Sequence, residues 1–160
     1  MKKTVNALSL FSSAGIGEFY LSQIGVDVKV ANELVENRAD IYKKLYPKGT
    51  MICGDITQKN TYRQIVDTAQ KEKCKLIIAT PPCQGMSIAG KMDKHDPRNT
   101  LIVSAINSIL DIDADFALIE NVPQMLKFFI RIKNKPVKIT DYILSRLDSS
   151  YNVSFNVVDV

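Results

Sequence analysis

The chain has 160 residues, 46% of them hydrophobic and 24% charged, with a formal net charge of +4 at pH 7. This composition fits one globular domain with a substantial core. No apolar stretch reaches the ~18 residues that a membrane span needs, and the N-terminus lacks the apolar core of a signal peptide. Three cysteines without a C-x-x-C pair argue against a disulfide framework or a metal site, so we expect a reduced, cytoplasmic setting. The charge is compatible with nucleic acid but does not require it.

Strand and helix signals alternate along the chain. Apolar runs predict strands over Val5–Phe11, Val26–Ala31, Thr50–Cys53, Leu76–Thr80 and Phe116–Ile119. Amphipathic segments predict helices over Glu18–Ile24, Leu34–Leu45, Tyr62–Lys71, Leu101–Leu110 and Thr140–Leu147. An alternating segment, Asn152–Val158, predicts a last strand. The alternation predicts an α/β fold with a mainly parallel sheet and helices on both faces, and the irregular stretch from Gln84 to Asn99 is typical of a lid or binding loop.

A cysteine follows the fourth predicted strand. The sequence Pro81-Pro82-Cys83-Gln84 comes directly after Leu76–Thr80. The two prolines stiffen the turn, and ligands of open α/β sheets bind at the carboxyl ends of the strands. Cys83 is therefore a candidate nucleophile. The alternative is that Cys83 is a small buried hydrophobe, as many free cysteines are.

The ends of the first three predicted strands carry groups that suit a nucleoside. Small residues over Phe11–Gly17 allow close approach of the backbone to a ligand, although a tight turn with nothing bound explains them too. Glu33 can accept both hydroxyls of a ribose, or can be a solvated charge at a helix start. Asp55 can accept from an adenine amino group, or can cap the following helix. The spacing does not separate NAD from S-adenosylmethionine, but the absence of a G-x-G-x-x-G sequence favours S-adenosylmethionine.

The fifth predicted strand ends at Glu120-Asn121-Val122. Because adjacent parallel strands bring their ends together, we expect Glu120 to face Cys83 as an acid beside a nucleophile. We also expect Glu120 to be partly buried, which would raise its pKa. The alternative role for Glu120 is a helix cap.

These motifs together resemble the DNA cytosine-5 methyltransferase family. The matching segments, in chain order, are residues 8–17, Ala31-Asn32-Glu33, Gly54-Asp55-Ile56, residues 81–87, Asp96–Leu101 and Glu120-Asn121-Val122. The strongest part of the resemblance is the pair formed by Pro82-Cys83-Gln84 and Glu120-Asn121-Val122. The resemblance implies a Rossmann-like S-adenosylmethionine-dependent methyltransferase fold, with S-adenosylhomocysteine as the product of the cofactor.

The resemblance also implies a role for each matched position. Cys83 would attack C6 of a flipped cytosine, and Glu120 would engage N3. Glu33 would bind the ribose and Asp55 the adenine amino group. The other positions implied for the cofactor are Phe11, Ala14, Gly15, Ile16, Gly17, Leu34, Ile56, Pro82 and Leu101. Those implied for the substrate DNA are Gln84, Ser87, Asn121 and Val122.

Family members continue into an arginine motif, a target-recognition domain and a C-terminal helix, which this sequence does not contain. The expectation is a single catalytic domain over residues 1–160, with a fold incomplete at its C-terminal sheet edge, as a truncated piece or as one subunit of a split enzyme of a bacterial restriction-modification system. Its expected partners are double-stranded DNA and a second subunit that carries the target-recognition domain. The last strand would pair across an open sheet edge, in the vacant slot or in a homodimer.

Two other functions remain open at this point. An amino-methyltransferase acting on adenine N6 or cytosine N4 would need no thiol, so Cys83 argues against it. A domain that only binds cofactor, DNA or a partner is the second alternative, and intact Cys83 and Glu120 argue against decay. A basic run, consisting of Lys127, Arg131, Lys133, Lys135 and Lys138, either faces DNA or is a solvated surface.

Overall fold

The computed structural model describes residues 4–82, 97–133 and 135–158. Contacts divide the chain into two compact units, of which the first combines Met1–Pro81 with Asn107–Glu120. The second combines Pro82–Ile106 with Asn121–Val160. The sequence-based expectations for Cys83, Gln84, Ser87 and the loop that follows them fall outside the described residues.

The first unit is built on a parallel sheet. Its strands are β1 Val5–Leu10, β2 Val26–Glu33, β3 Thr50–Cys53, β4 Leu76–Ala79 and β5 Phe116–Ile119. They lie in the order β3-β2-β1-β4-β5, and every neighbouring pair is parallel. The order reverses between β1 and β4, and ligands of open α/β sheets bind at such a reversal. The predicted Rossmann-like fold with a mainly parallel sheet is confirmed.

Helices follow the strands where apolar residues recur at helical spacing. The helix α1 spans Glu36–Leu45 and buries Ala39 and Tyr42, while α2 spans Lys59–Lys71 and buries Ile65 and Ala69. Residues three and four apart share one helix face, so each pair forms one apolar side. The helix α3 spans Leu101–Ile112. None of the described helices is both long and apolar enough to cross a membrane.

The predicted helix over Glu18–Ile24 is wrong. Turns occupy this region up to Tyr20, and a single 3-10 turn spans Leu21–Ile24. The turn buries none of its residues. Most of the stability of a helix in a protein comes from packing of an apolar face, and this segment has no buried face.

The second unit holds a hairpin that the sequence did not predict. The strands β6 Phe129–Ile132 and β7 Lys135–Lys138 pair antiparallel, after a 3-10 turn at Pro123–Lys127. The helix α4, Ile139–Leu147, follows and buries one side, made of Ile139, Tyr142, Ile143 and Leu147.

The predicted last strand over Asn152–Val158 is also wrong. These residues form no strand, and Phe155, Val157 and Val158 are exposed. A strand needs a partner to satisfy its backbone groups, and no described strand pairs with this segment. In the first unit, β5 is an edge strand with exposed Phe116 and Leu118.

Candidate cofactor and catalytic site

The carboxyl ends of the five strands are joined to one another by backbone hydrogen bonds. The N–H of Ser12 donates to the carbonyl oxygen of Asn32 over 3.0 Å, and that of Gly54 donates to Glu33 over 2.9 Å. The N–H of Thr80 donates to Leu10 over 3.2 Å, and that of Glu120 donates to Ala79 over 3.0 Å. Each bond connects neighbouring strands just where they end. The segments that carry most of the predicted cofactor residues, and Glu120, therefore share one edge of the first unit.

Glu33 ends β2 and faces the loop after β1. Its side chain is only 6% exposed. One carboxylate oxygen accepts the N–H of Ser13 and the other accepts the N–H of Val35, both over 2.9 Å. A carboxylate offers about four acceptor positions, so both oxygens keep capacity for two hydroxyl donors. The arrangement fits the ribose role and also gives Glu33 a structural role in the loop.

Asn32 precedes Glu33 and connects β2 to β3. It is 2% exposed, and its amide nitrogen donates to the carbonyl oxygens of Ile52 and Gly54 over 2.9 and 3.0 Å. No separate role was predicted for this residue from the sequence. The signal in the sequence is an amide side chain near the end of an otherwise apolar strand. When such a polar group is buried, it must find hydrogen-bond partners.

The loop after β1 has an irregular backbone. Phe11, Ser13 and Gly15 have positive φ angles of 61°, 52° and 84°. The hydroxyl of Tyr46 donates to the carbonyl oxygen of Gly15 over 2.6 Å. A Cβ at Gly15 would clash with the Cε2 ring carbon of Tyr46, so only glycine fits there. Packing against Tyr46 thus accounts for this glycine.

The remaining first-unit residues predicted for the cofactor differ in accessibility. Ile16 and Leu34 are exposed, Ala14 is half-buried and Gly17 is exposed. Asp55 is half-buried, and its Oδ1 accepts from the N–H and the hydroxyl of Thr57, both over 2.8 Å. Asp55 therefore holds the turn before α2 but does not cap that helix, whose N-cap is Gln58 without a side-chain hydrogen bond. Ile56 is buried in the core.

A buried carboxyl lies behind the loop. Glu18 is 6% exposed, and its Oε1 accepts from the hydroxyl of Ser9 on β1. Among the described residues, Oε2 of Glu18 and the hydroxyl of Tyr42 are buried without a hydrogen-bond partner. Burial raises the pKa of Glu18, and the bond from Ser9 opposes this only in part. The fold thus shifts the equilibrium of Glu18 towards the protonated acid, compared with a carboxyl group in water.

The predicted acid motif does not have the expected burial. Glu120 is exposed, so the expectation of a partly buried carboxyl is wrong for the described chain. The reason is its position directly after the edge strand β5. Asn121 and Val122 are half-buried, and the side-chain oxygen of Asn121 accepts the N–H of Val122 over 2.8 Å. Pro82 and Leu101 belong, like Asn121 and Val122, to the second unit.

The described cysteines have contrasting environments. Cys53 is exposed at the end of β3, whereas Cys74 is buried and burial raises its thiol pKa to about 12. A thiolate is the reactive form, so Cys74 is chemically inert near neutral pH. The described residues contain no group of His, Cys, Asp and Glu side chains suited to a metal ion.

Nearly the whole chain matches one family of proteins. The family model for C-5 cytosine-specific DNA methylase covers residues 5–160. The chain belongs to the C-5 cytosine-specific DNA methylase family. Among curated relatives, the Type II methyltransferase M1.HgaI of Avibacterium volantium is 43% identical over 164 residues, which is 99% of this chain and 46% of that protein.

Further comparisons agree with the family and the fold. The Type II methyltransferase M.FnuDI of Fusobacterium nucleatum is 33% identical, over 95% of this chain and 41% of that protein. A DNA modification methyltransferase encoded within an E. coli prophage has the same fold, with a TM-score of 0.71 and 22% identity over 93% of this chain and 39% of its own. Dnmt2 of S. pombe gives a TM-score of 0.59 at 21% identity, over 89% of this chain and 40% of its own. The chain thus spans less than half the length of these relatives.

Proposed function

We propose that this chain is the cofactor-binding and catalytic part of a DNA cytosine-5 methyltransferase of a restriction-modification system. The membership of the family over residues 5–160 supports the reaction class. The names of the relatives, which are Type II methyltransferases, support the restriction-modification setting. Because the chain spans 46% of M1.HgaI, we propose that other sequence supplies target recognition.

The observation that carries the proposal is the environment of Glu33. A carboxylate at the end of β2, nearly buried yet with acceptor capacity left on both oxygens, suits the two hydroxyls of a ribose. Asp55 follows the neighbouring strand β3 by two residues. Its Oδ1 is already engaged by Thr57, so Oδ2 would accept from an adenine amino group. Phe11 and Leu34 would lie against the adenine, and the backbone of Ala14–Gly17 would hold the methionine end, with Ile56, Pro82 and Leu101 as further contacts.

S-adenosylmethionine, when bound, would supply an electrophilic methyl group on a sulfonium. The residues of this chain would prepare the base. The Cys83 thiolate would form a bond to C6 of a flipped cytosine while Glu120 protonates or hydrogen-bonds N3, which moves the C5–C6 π electrons towards C5 and makes C5 nucleophilic. After methylation, loss of the C5 proton and of the thiolate restores the aromatic base. Gln84, Ser87, Asn121 and Val122 would contact the DNA around that base.

The position of Glu120 on the chain supports its role beside Cys83. The N–H of Glu120 donates to Ala79 at the end of β4, and Cys83 follows that strand after two prolines. Glu120 is exposed, so its carboxyl group is accessible to a base that enters this edge of the sheet.

The test is capture of a covalent adduct. In a complete enzyme assembled from this chain and a segment for target recognition, DNA containing 5-fluorocytosine should form an adduct that survives denaturation, because fluorine blocks loss of the C5 substituent. Cys83→Ser should abolish the adduct and lower methyl transfer at least about 100-fold. The matched control is Cys53→Ser, since Cys53 is exposed but lies at the end of another strand. An adduct retained by Cys83→Ser would refute the proposed nucleophile.

A further inference from the structure

The strongest charged surface outside the candidate site lies on the hairpin. The sequence contains no Asp or Glu between Glu120 and Asp141, yet it contains five basic residues there. These form what we call the basic hairpin surface: Lys127, Arg131, Lys133, Lys135 and Lys138. Four of them are exposed and Lys138 is half-buried.

Strand register separates the two faces of the hairpin. Phe129 pairs with Lys138 and Arg131 pairs with Pro136, while Ile130 pairs with Val137. Directly opposed residues share a face, and successive residues alternate. Ile130 is 1% exposed and Val137 is half-buried, so they mark the inner face. The outer face therefore presents Arg131 and Lys138, together with Phe129, which is 53% exposed. Lys135 pairs with Ile132 and so follows the register of the inner face, but it lies next to the turn at the end of the hairpin, where it and Lys133 are exposed.

The basic hairpin surface carries its charges without an acidic partner among the described residues. The ion pairs of Lys29, Lys43 and Lys75 with aspartates all lie in the first unit. No described carboxylate forms an ion pair with any member of the basic hairpin surface. Like charges gathered on one short hairpin repel one another, and a polyanion relieves that repulsion. The guanidinium of Arg131 also has the planar donor geometry that suits a phosphate group.

We propose that the basic hairpin surface binds the phosphate backbone of double-stranded DNA. The inference rests on the proposed function, because that function makes DNA the substrate. Contacts of this kind supply affinity that depends on salt and not on sequence, and they fix the position of a protein on the duplex. The hairpin would hold the DNA, while other residues would recognise the DNA sequence.

The experiment measures the binding of the 160-residue chain to two short, unrelated, fluorescently labelled duplexes by anisotropy, between about 50 and 200 mM salt. The double variant Arg131→Ala/Lys133→Ala should weaken binding at least about tenfold at the lowest salt, equally for both duplexes. The slope of log K against log salt should fall by about 1.8, or about 0.9 for each phosphate that is no longer neutralised. A merely structural role would leave this slope unchanged.

The controls separate local binding from net charge and from unfolding. Lys59→Ala/Lys71→Ala removes the same charge from exposed positions of α2 and should leave the slope unchanged. Arg131→Lys/Lys133→Arg keeps the charge on the hairpin and should restore the slope, and the thermal midpoint of each variant reports on folding. Three outcomes would each overturn the proposal: equal salt slopes for wild type and the hairpin variant, weaker binding of one duplex only, and no DNA binding by the wild-type chain. If duplex binding depends on the hairpin but the complete enzyme forms no 5-fluorocytosine adduct, the result would refute only the proposed methyl transfer.

Discussion

Glu33 holds the loop after β1 and keeps acceptor positions that we propose for a ligand. Its two backbone bonds, to Ser13 and Val35, fix the segments that follow β1 and β2. The remaining lone pairs are the ones proposed for a ribose. The alternative that the sequence left open, a solvated charge at a helix start, does not fit a side chain that is only 6% exposed.

Glu33→Ala should weaken the binding of S-adenosylmethionine by about 1–3 kcal/mol, because hydrogen bonds to a charged group are removed. That corresponds to about a 5- to 150-fold higher Kd, measurable by calorimetry on the 160-residue chain. Glu36→Ala, an exposed carboxylate in the first turn of α1, is the matched control. An unchanged Kd for Glu33→Ala, with the same fold, would restrict Glu33 to its structural role.

Glu18 should make the stability of the first unit depend on pH. Burial raises its pKa above the ordinary carboxyl value, so the folded state retains a proton that the unfolded state releases. The stabilising contribution is complete below the unfolded pKa and is lost as pH rises through the folded pKa. Glu18→Gln, which stays neutral, should therefore gain stability relative to wild type as pH increases from about 4 to 7.

The measurement is the urea midpoint of wild type and Glu18→Gln at several pH values. Comparing the two chains at each pH cancels the contribution of groups that both contain. Asp67→Asn, an exposed carboxylate on α2, is the control and should show a nearly constant difference. A difference between wild type and Glu18→Gln that does not change with pH would contradict the role given to burial.

At the scale of elements, the loop after β1 depends on packing against Tyr46, the residue that follows α1. Tyr46 both donates to the carbonyl oxygen of Gly15 and blocks the space where a Cβ would lie. Gly15→Ala should therefore lower the free energy of unfolding by at least about 1 kcal/mol, through the positive φ and the clash together. Gly17→Ala is the control, because a Cβ there meets nothing within 4 Å.

Chemical denaturation of both glycine variants measures this difference. Calorimetry with S-adenosylmethionine should show weaker binding for Gly15→Ala as well, since the loop must shift to accommodate the methyl group. Equal stability of Gly15→Ala and Gly17→Ala would mean that the ring of Tyr46 moves aside without cost.

At the scale of the whole molecule, the chain covers less than half of M1.HgaI and M.FnuDI. Since it spans 46% of M1.HgaI, the 160-residue chain alone should not methylate DNA measurably and should bind S-adenosylmethionine weakly. Transfer of a radioactive methyl group to DNA, with and without a segment supplying target recognition, measures this. Robust methylation by the purified chain alone would contradict the expectation.

Local patterns in the sequence determined the parallel sheet, most of its helices and the family. The bounds of β3 and β5 were predicted without error, and β1, β2 and β4 differ only near their ends, because continuous apolar runs between turn residues identify buried strands. The motifs around Glu33, Asp55 and Glu120 were recognisable because they stand at strand ends, where an α/β fold places its ligand groups.

Only the tertiary structure decided features that depend on a partner distant in the sequence. Leu21–Ile24 is a 3-10 turn that lies against β2 but buries none of its residues, so it has no buried face that would stabilise a longer helix. Residues 152–158 form no strand because no described strand pairs with them. The exposure of Glu120 follows from the edge position of β5, and the raised pKa of Glu18 from burial beside β1. Propensity is local, whereas burial, pairing and pKa depend on which residues the fold brings together, and a single sequence does not contain those neighbours explicitly.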